Sequence, residues 1–339
     1  MSALPEIHLQ QGDLGLSVCP SLGGAITRFV YRDFDLLRPW DGEPNVRRAG
    51  CFVLAPFSNR VGEAGFVHQG IHYPLRPLSA DFPLPIHGLA WQRPWQVLAQ
   101  DSSCITLQMS HQPKGDEVRN WPFAFELQHE LRLSRHGLGL RLTLHNRDTR
   151  CMPAGLGWHP YFTRDGVPHL QFSAQSVWLN DERNLPRRLT GIPQRWDFRQ
   201  TRALYEPELD NCFSGWDGEA RILWPQRGIE LLLSASEESG YLVLFTPPSD
   251  RGLFALEPVS HANNALCMAE PLEHGVRLLA PGEGMTASFS MGVKVRVFRR
   301  GVGRARKGPS PGRAESLRNR SEESCVLQAP ATTTAKSGS

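Results

Sequence analysis

The sequence predicts an all-β protein, a large antiparallel β-sandwich with few or no long helices. In several segments apolar residues alternate with polar ones, at the two-residue period of a half-buried strand. Turn-forming residues are frequent and spread along the chain, with 31 glycines and 27 prolines among 339 residues. No convincing amphipathic helix pattern occurs in the first 298 residues. Together these observations favour sheet packed on sheet.

The clearest predicted element is a hairpin in the middle of the chain. Apolar residues alternate over residues 125–133, where His129 falls on the apolar face, and again over residues 138–144. The link at residues 134–137 is short and ends in a glycine, which can adopt positive φ. We therefore expect two antiparallel strands joined by a tight turn.

Three further segments predict strands of two kinds. Alternation over residues 289–297 predicts a half-buried strand. Residues 229–233 and 241–245 are apolar on both faces, which favours central strands that are covered on both sides. No internal repeat of about 20–50 residues is visible, which argues against a propeller.

The chain changes character near residue 298. Residues 299–339 contain nine Lys or Arg and three Asp or Glu, against totals of 37 and 34 for the whole chain. Residues 1–298 therefore carry a net charge of about −3 and give no reason to expect a nucleic-acid partner. We interpret residues 1–298 as one β-sandwich domain and residues 299–339 as a basic, disordered tail. A nucleic-acid-binding arm is the alternative for the tail.

The sequence predicts a soluble, cytoplasmic protein. Its first residues lack the basic and apolar regions of a signal peptide, and no apolar run approaches the roughly 20 residues of a membrane span. The seven cysteines are widely spaced and include no C-x-x-C pair, which favours reduced thiols. No membrane partner is expected, and the oligomeric state is left open.

No cofactor and no metal are expected. The sequence contains no glycine-rich phosphate loop, no dinucleotide-binding fingerprint and no G-x-S-x-G nucleophile motif. His68 and His72 have the spacing of metal ligands on a helix, but Gly65, Gly70 and Pro74 disfavour a helix there.

Ionisable residues stand out in apolar or turn-rich surroundings, in five segments at residues 56–60, 85–91, 157–162, 209–213 and 254–265. His159 is flanked by three aromatic residues and a proline, and aromatic faces are surfaces on which sugar rings stack. Glu257 is a lone carboxylate that ends an apolar run just before a proline, where an unpaired charge is unfavourable. A structural hydrogen bond for His159, a salt-bridged strand end for Glu257 and ordinary turns at His87 and Asp210 are the alternative interpretations.

Taken in order, these segments resemble the aldose 1-epimerase (galactose mutarotase) family. The resemblance rests on the ordered motifs N-R, H-G, H-x-Y-F, D-x-x-F and E-P with a downstream Asn-Ala, and it covers roughly residues 5–298. It implies the galactose mutarotase-like β-supersandwich fold and a monosaccharide as the binding partner. The implied activity is interconversion of the α and β anomers of a free aldose, without a cofactor.

The resemblance also assigns roles to single residues, with His159 as general acid and Glu257 as general base. In mutarotation the hemiacetal ring opens and recloses on the other face of C1, so one group takes a proton from O1 while another gives one to the ring oxygen. We expect a protonated His159 and an ionised Glu257 on opposite sides of one sugar ring. Substrate contacts or supporting positions are implied for a further set: Arg60, His87, Asp210, Asn59, Tyr161 and Trp158.

The preferred sugar is left open by the sequence. Trp91 and Pro160 depart from the residues we would expect in the family next to the predicted site. A hexose-6-phosphate 1-epimerase of the same fold is one alternative, and Arg76 and Arg93 are candidates for holding its phosphate. A carbohydrate-binding domain without catalytic activity is another alternative.

Overall fold

The computed structural model describes residues 4–205, 209–248 and 250–295. Within these ranges the chain forms 24 strands, six short 3₁₀ turns and no α-helix, which confirms the all-β class. None of its described helical turns is long and apolar enough to span a membrane. The strands are β1 Ile7–Gln11, β2 Leu14–Cys19, β3 Ala25–Tyr31, β4 Phe34–Asp35, β5 Cys51–Leu54, β6 Gly65–His68, β7 Ile71–Pro74, β8 Gln96–Gln100, β9 Cys104–His111, β10 Phe125–Ser134, β11 Gly137–Asn146, β12 Met152–Ala154, β13 Gly157–Thr163, β14 His169–Phe172, β15 Ser176–Asn180, β16 Pro186–Thr190, β17 Arg202–Ala203, β18 Asp210–Ser214, β19 Glu219–Trp224, β20 Ile229–Ala235, β21 Tyr241–Phe245, β22 Leu253–Val259, β23 Arg277–Leu279 and β24 Gly284–Val295. The 3₁₀ turns are Val46–Arg48, Ala90–Gln92, Gly115–Arg119, Gln194–Trp196, Ala265–Cys267 and Pro271–His274.

Two large sheets account for most of the strands. One has eleven strands, in the order β1-β2-β3-β5-β13-β22-β21-β18-β15-β16, with β4 paired to β3. The other has nine strands, in the order β17-β14-β19-β20-β24-β11-β10-β9-β8. The strand pairs β6–β7 and β12–β23 form two small sheets. All recorded pairings between these strands are antiparallel.

The two large sheets bury one apolar core between them, which confirms the predicted sandwich. The ring centroids of Trp158 on β13 and Phe289 on β24 are 5.9 Å apart. Those of Phe213 on β18 and Phe172 on β14 are 5.1 Å apart. Side chains from the two inner faces therefore interdigitate, and the alternate residues of each strand point away from this core.

The predicted hairpin is confirmed in position and register. Strands β10 and β11 pair from Phe125 opposite Asn146 to Ser134 opposite Gly137, so the turn between them contains two residues. His129 lies on the buried face, as the alternation indicates.

The other predicted strands also form. Strand β21 lies between β22 and β18, and β20 lies between β19 and β24, so both are central strands. The half-buried strand begins at Gly284, earlier than the alternation indicated. Its last two predicted residues, 296–297, lie outside the described ranges, as do the predicted domain boundary near residue 298 and the tail at residues 299–339.

The prediction that Glu257 ends its strand was wrong. Strand β22 continues through Pro258 to Val259, and every residue of it is buried. Proline is usually excluded from central strands because it has no N–H to donate to a neighbour.

The pairing of β13 with β22 shows how this proline is accommodated. Recorded pairs occur at Gly157–Val259 and again from Tyr161–Ala255, with a gap between them. Each strand has a proline within this gap. Pro160 and Pro258 have no N–H to donate, and they therefore lie where the hydrogen-bond ladder of the eleven-stranded sheet is locally interrupted.

Candidate active site

His159 and Glu257 lie side by side at this interruption, and we call them the central pair. The register of β13 and β22 places the two residues opposite each other. His159 Nε2 and Glu257 Oε1 are 3.2 Å apart, and the two residues are only 5% and 2% exposed. On the other side of His159 the ring of Phe52 stacks at a centroid distance of 4.7 Å. The expectation that the acid and base are separated by the width of a sugar ring is therefore wrong.

A second row of side chains lies beside the central pair. Pairing across β13, β22, β21 and β18 aligns Tyr161, Ala255, Phe245 and Asp210. Residues two apart in a strand point to the same face, so this row shares the face of the central pair. Asp210 Oδ2 lies 3.1 Å from Arg60 Nη2, and these side chains are each 19% exposed. The sheet thus presents two adjoining rows of polar and aromatic groups.

The loops that carry Asn59 and His87 are hydrogen-bonded to each other. The Asn59 N–H donates to His87 Nδ1 at 3.1 Å, and the His87 N–H donates to the Asn59 carbonyl oxygen at 3.0 Å. Both residues have positive φ, 56° and 62°, which non-glycine residues seldom adopt. Since Nδ1 accepts a hydrogen bond, the proton of the neutral His87 ring is on Nε2. No partner in the described residues takes up this donor.

A buried histidine outside the predicted set fixes the same loop from the other side. The Ser58 N–H donates to His261 Nε2 at 3.0 Å, and His261 Nδ1 lies 2.7 Å from the carbonyl oxygen of Ala262. Because Nε2 accepts, Nδ1 must be the donor. Sequence analysis placed His261 in a polar segment but assigned it no role, since this contact joins residues 203 positions apart.

One cavity of about 340 Å³ contains the predicted site. This volume is within the usual range for small-molecule pockets. The cavity is lined by all seven residues predicted to act in catalysis or substrate binding, namely Asn59, Arg60, His87, His159, Tyr161, Asp210 and Glu257. Trp158, which was expected to be a supporting residue, does not line this cavity. Its side chain points into the sandwich core, where its Nε1 donates to His129 at 3.2 Å.

Several lining residues were not predicted from the sequence. Phe52, Phe82, Phe245 and Arg47 line the cavity, together with Trp91, which had been noted only as a departure from the family pattern. Phe52 and Phe245 lie in ordinary apolar segments, Phe82 lies in an exposed bend beside a proline, and Arg47 is one of two adjacent arginines in a turn. Only the register of the strands and the fold of the loops bring these residues to the cavity, so no local signal could have identified them.

Burial opposes the predicted charges of the central pair. It lowers the pKa of His159 to about 3. Burial, and secondarily the charge of Asp210, raise the pKa of Glu257 well above its usual value, and Arg60 only partly offsets this. In the site without ligand, burial therefore favours the neutral form of each group over the imidazolium and the carboxylate that the sequence leads us to expect.

The surrounding groups are affected by the same desolvation. Burial lowers the pKa of His87 well below its ordinary value, and the nearby charges of His159 and Arg60 act in the same direction. Burial raises the pKa of Tyr161 to about 12. The pKa of Asp210 is also raised by burial, against the opposing effect of Arg60. The cavity thus favours neutral side chains and tolerates the Arg60–Asp210 ion pair.

The described residues contain no group of three or more His, Cys, Asp or Glu side chains that could hold a metal ion. His68 Nε2 lies 3.2 Å from the carbonyl oxygen of Cys151. His72 and His68 lie on the two strands of the β6–β7 hairpin, where His72 pairs with Val67 and His68 with Ile71.

The two arginines considered for a phosphate site lie elsewhere. Arg76 forms an ion pair with Asp116, and Arg93 forms one with Glu117. Neither arginine lines the cavity that contains the central pair. The suggestion that these two residues hold a substrate phosphate is therefore not supported by their positions.

The sequence profile of the aldose 1-epimerase family matches residues 5–292 of this chain. The uncharacterised protein YphB of Escherichia coli K12 is 31% identical over 293 residues, which is 84% of this chain and 98% of that protein. YihR of the same organism, also uncharacterised, is 26% identical over 267 residues, which is 76% of this chain and 85% of that protein.

Solved structures show the same fold. A candidate aldose 1-epimerase from Escherichia coli K12 superposes with a TM-score of 0.79 at 30% identity, covering 86% of this chain and 99% of that one. A galactose mutarotase-like protein from Clostridium acetobutylicum has a TM-score of 0.76 at 18% identity, covering 86% of this chain and 95% of that one. At that identity the second likeness concerns the fold alone.

Proposed function

Since this chain belongs to the aldose 1-epimerase family, we propose that it is a mutarotase that interconverts the α and β anomers of a free aldose. The observation that carries this proposal is the contact between a buried imidazole and a buried carboxyl group in a cavity of sugar-binding size. Each positioned proton-transfer group typically contributes about 10²–10⁴ in rate. Two such groups are sufficient for this reaction without a metal or a cofactor.

The proposed reaction is a pair of proton transfers around C1. Glu257, as carboxylate, accepts the O1 proton while the C1–O5 bond breaks and His159, as imidazolium, protonates the ring oxygen. The product is the open-chain aldehyde, and both side chains are then neutral. After rotation about C1–C2, the same transfers run in reverse and close the ring on the other face of C1.

The short distance between His159 and Glu257 suits this chemistry. O1 and the ring oxygen are bonded to the same carbon, so the groups that serve them must be close neighbours. The neutral pair and the imidazolium–carboxylate pair contain the same number of protons. At 3.2 Å, a proton can pass directly from one group to the other. Burial favours the neutral arrangement, which is also the one that accompanies the open-chain aldehyde.

The remaining groups supply binding and orientation. The Arg60–Asp210 pair offers cationic donors and anionic acceptors for ring hydroxyls. His87 offers an Nε2–H donor whose direction is held by the Asn59 N–H. Tyr161 lies against the imidazole of His159, with ring centroids 4.5 Å apart. We propose that these five residues hold the pyranose with C1 at the central pair.

We also propose that the protein acts in the cytoplasm. This is supported by the six cysteines of the described ranges, all of which are free thiols. Four of the six are buried, which is the usual setting of a thiol that acts as a small apolar group.

The test is anomeric exchange measured by NMR magnetisation transfer on a panel of free aldoses, with and without the protein. We expect the exchange between anomers to be accelerated at catalytic protein concentrations. Binding of sugars without acceleration would instead identify a carbohydrate-binding domain. Absence of both would contradict the proposal.

A further inference from the structure

The cavity carries one positive charge that no lining carboxylate offsets. Arg60 and Asp210 neutralise each other at 3.1 Å. The lining histidines and Glu257 are buried, and burial favours the neutral form of each. Arg47 is the remaining charged group of the lining. The net charge of about −3 on residues 1–298 is opposite in sign, so this positive cavity does not reflect the charge of the whole body.

The backbone around Arg47 is held in place by several contacts. Arg47 lies in the 3₁₀ turn Val46–Arg48, where its N–H donates to Asn45 Oδ1 at 3.1 Å. Its carbonyl oxygen accepts a hydrogen bond from Arg38, whose Nη2 also donates to Ala49 at 3.0 Å. The turn is further anchored by Val46, which is buried. The side chain of Arg47 therefore starts from a fixed position.

The guanidinium group of Arg47 is oriented but has no counter-ion. Its central carbon lies 4.6 Å from the ring centroid of Phe82, a residue that is 42% exposed. Stacking on a ring face leaves the in-plane N–H donors of an arginine available. No carboxylate of the described residues is within ion-pair distance of Arg47, whereas the adjacent Arg48 is paired with Asp41.

Arg47 and the central pair lie at different depths of the same cavity. The central pair is almost fully buried, while Arg47 and Phe82 are exposed. A sugar with C1 at His159 and Glu257 would therefore direct its far side toward the arginine. The charge of Arg47 reaches the deep end of the cavity, since it contributes to the lowered pKa of His159.

We propose that the substrate is an aldose that carries an oxyanion remote from C1, either a carboxylate or a phosphate, and that Arg47 binds this group at the cavity mouth. This inference rests on the mutarotase activity of the proposed function and replaces the unsubstituted free aldose by one that carries an anionic group. Guanidinium groups bind carboxylate and phosphate through paired, charge-assisted hydrogen bonds. A neutral aldose would leave the arginine without such a partner.

The test compares neutral and anionic aldoses in the full-length protein. Anomeric exchange of galactose, glucose, galacturonate, glucuronate and glucose 6-phosphate is measured by NMR magnetisation transfer. We expect kcat/KM to be at least about tenfold higher for one anionic class than for the matching neutral sugar. Comparing the two uronates with glucose 6-phosphate shows whether the preferred oxyanion is a carboxylate or a phosphate. Because the contact is near the surface, the preference should decrease as NaCl is raised.

Two variants of adjacent arginines connect this preference to one side chain. Arg47→Met should reduce the ratio of kcat/KM for the anionic sugar over the neutral one by about tenfold or more, mainly through KM. Arg48→Met removes the neighbouring charge, which is already paired, and should keep the ratio of the wild type.

The outcomes distinguish this inference from the proposed function. If neutral aldoses are turned over at least as well as anionic ones, or if Arg47→Met keeps the preference, the anionic substrate class is wrong and the mutarotase remains. If no sugar of either class is accelerated by the wild-type protein, the proposed function itself is wrong.

Discussion

The 3.2 Å contact between His159 Nε2 and Glu257 Oε1 is the main feature of the site at the scale of residues. Neither group has another charged partner within ion-pair distance in the described part of the chain. Burial disfavours the charged form of each group, so it lowers the pKa of His159 and raises the pKa of Glu257. Without ligand, burial therefore favours the arrangement with the proton on Glu257, and a shift of this proton to His159 gives the ion pair from which the proposed reaction starts.

Replacing Glu257 with Gln should keep the shape of the side chain and remove the group that accepts the O1 proton. We expect kcat to decrease by at least about 10² with little change in KM. NMR magnetisation transfer on a good substrate provides both constants. Glu126→Gln is the control, because Glu126 pairs with Arg147 away from the cavity. Turnover of the Glu257 variant close to that of this control would exclude Glu257 as the base.

Asp210 should act mainly in binding. Asp210→Asn replaces a charged acceptor by a neutral one and removes the counter-ion of Arg60, so KM should rise by about tenfold, with a smaller effect on kcat. Asp197→Asn is a suitable control, since Asp197 forms a surface pair with Arg199. A KM equal to that of wild type would remove Asp210 from the substrate contacts.

At the scale of elements, the position of the site depends on which side chains of the central strands point to the outer face of the eleven-stranded sheet, where the loops lie. Along β13 the side chains of Trp158 and His159 point to opposite faces, one into the sandwich core and the other into the cavity. The loop that carries His87 then covers the outer face and closes the cavity. Its tight approach to the sheet depends on Gly88.

Gly88 should not tolerate a side chain. Its φ is +67°, and a Cβ atom there would lie 2.0 Å from the carbonyl oxygen of Ala55. Gly88→Ala should therefore lower the free energy of unfolding by about 1–3 kcal/mol and, by displacing His87, raise KM. Urea unfolding checks the first effect. Gly191→Ala is the matched control, because no atom lies within 4 Å of the added Cβ. If the two variants were equally stable, the conclusion that Gly88 cannot accommodate a side chain would be wrong.

At the scale of the whole molecule, the eleven-stranded sheet separates the apolar core on its inner face from the cavity on its outer face. The inner face packs on the nine-stranded sheet through apolar side chains, and the outer face carries the cavity. The inner side nevertheless includes His129, which accepts a hydrogen bond from Trp158 and whose Nδ1 has no partner among the residues that the structure describes. This buried histidine has a consequence for stability in acid.

Stability should fall as the pH is lowered from 7 to 5, in part because of His129. Burial lowers its pKa from 6.5 to about 3, so its contribution is present above pH 6.5 and is lost as the pH falls toward 3. In this window only the unfolded chain takes up the proton, which corresponds to a loss of about 2 kcal/mol at pH 5.

Urea unfolding at pH 7 and pH 5 measures this contribution. His129→Gln keeps an acceptor for Trp158 but has no proton to take up, so it should lose about 2 kcal/mol less than wild type over this range. His136→Gln, at the exposed hairpin turn, should lose as much as wild type. The raised pKa of Glu257 acts in the opposite direction in all three proteins and cancels in the comparison. A pH dependence of His129→Gln equal to that of wild type would contradict the assignment.

The fold class could be predicted because alternation is a local property. A period of two along β10 and β11 determines which side chains are buried, and the short link between them determines their pairing. The catalytic and substrate-binding residues were predicted from short motifs, and all seven of them line one cavity. Their roles in binding and catalysis remain predictions.

Other properties of the site depend on residues far apart in the chain. The 3.2 Å contact of His159 with Glu257 follows from strand register and from a gap in the ladder, neither of which a local pattern contains. The protonation of this pair depends on burial, which the covering loops determine. The aromatic lining and Arg47 also reach the cavity only through tertiary packing.

The order of apolar and polar residues alone thus determined the β-sandwich and its central strands, because side-chain direction in a strand is set by local geometry, and short motifs that resemble the family gave the candidate groups. Only the tertiary structure decided that His159 and Glu257 are in contact, that burial opposes the charge of each, and that Arg47 has no counter-ion among the described residues. Distances, desolvation and charge balance are properties of the space between elements, and that space exists only after the sheets and loops have packed.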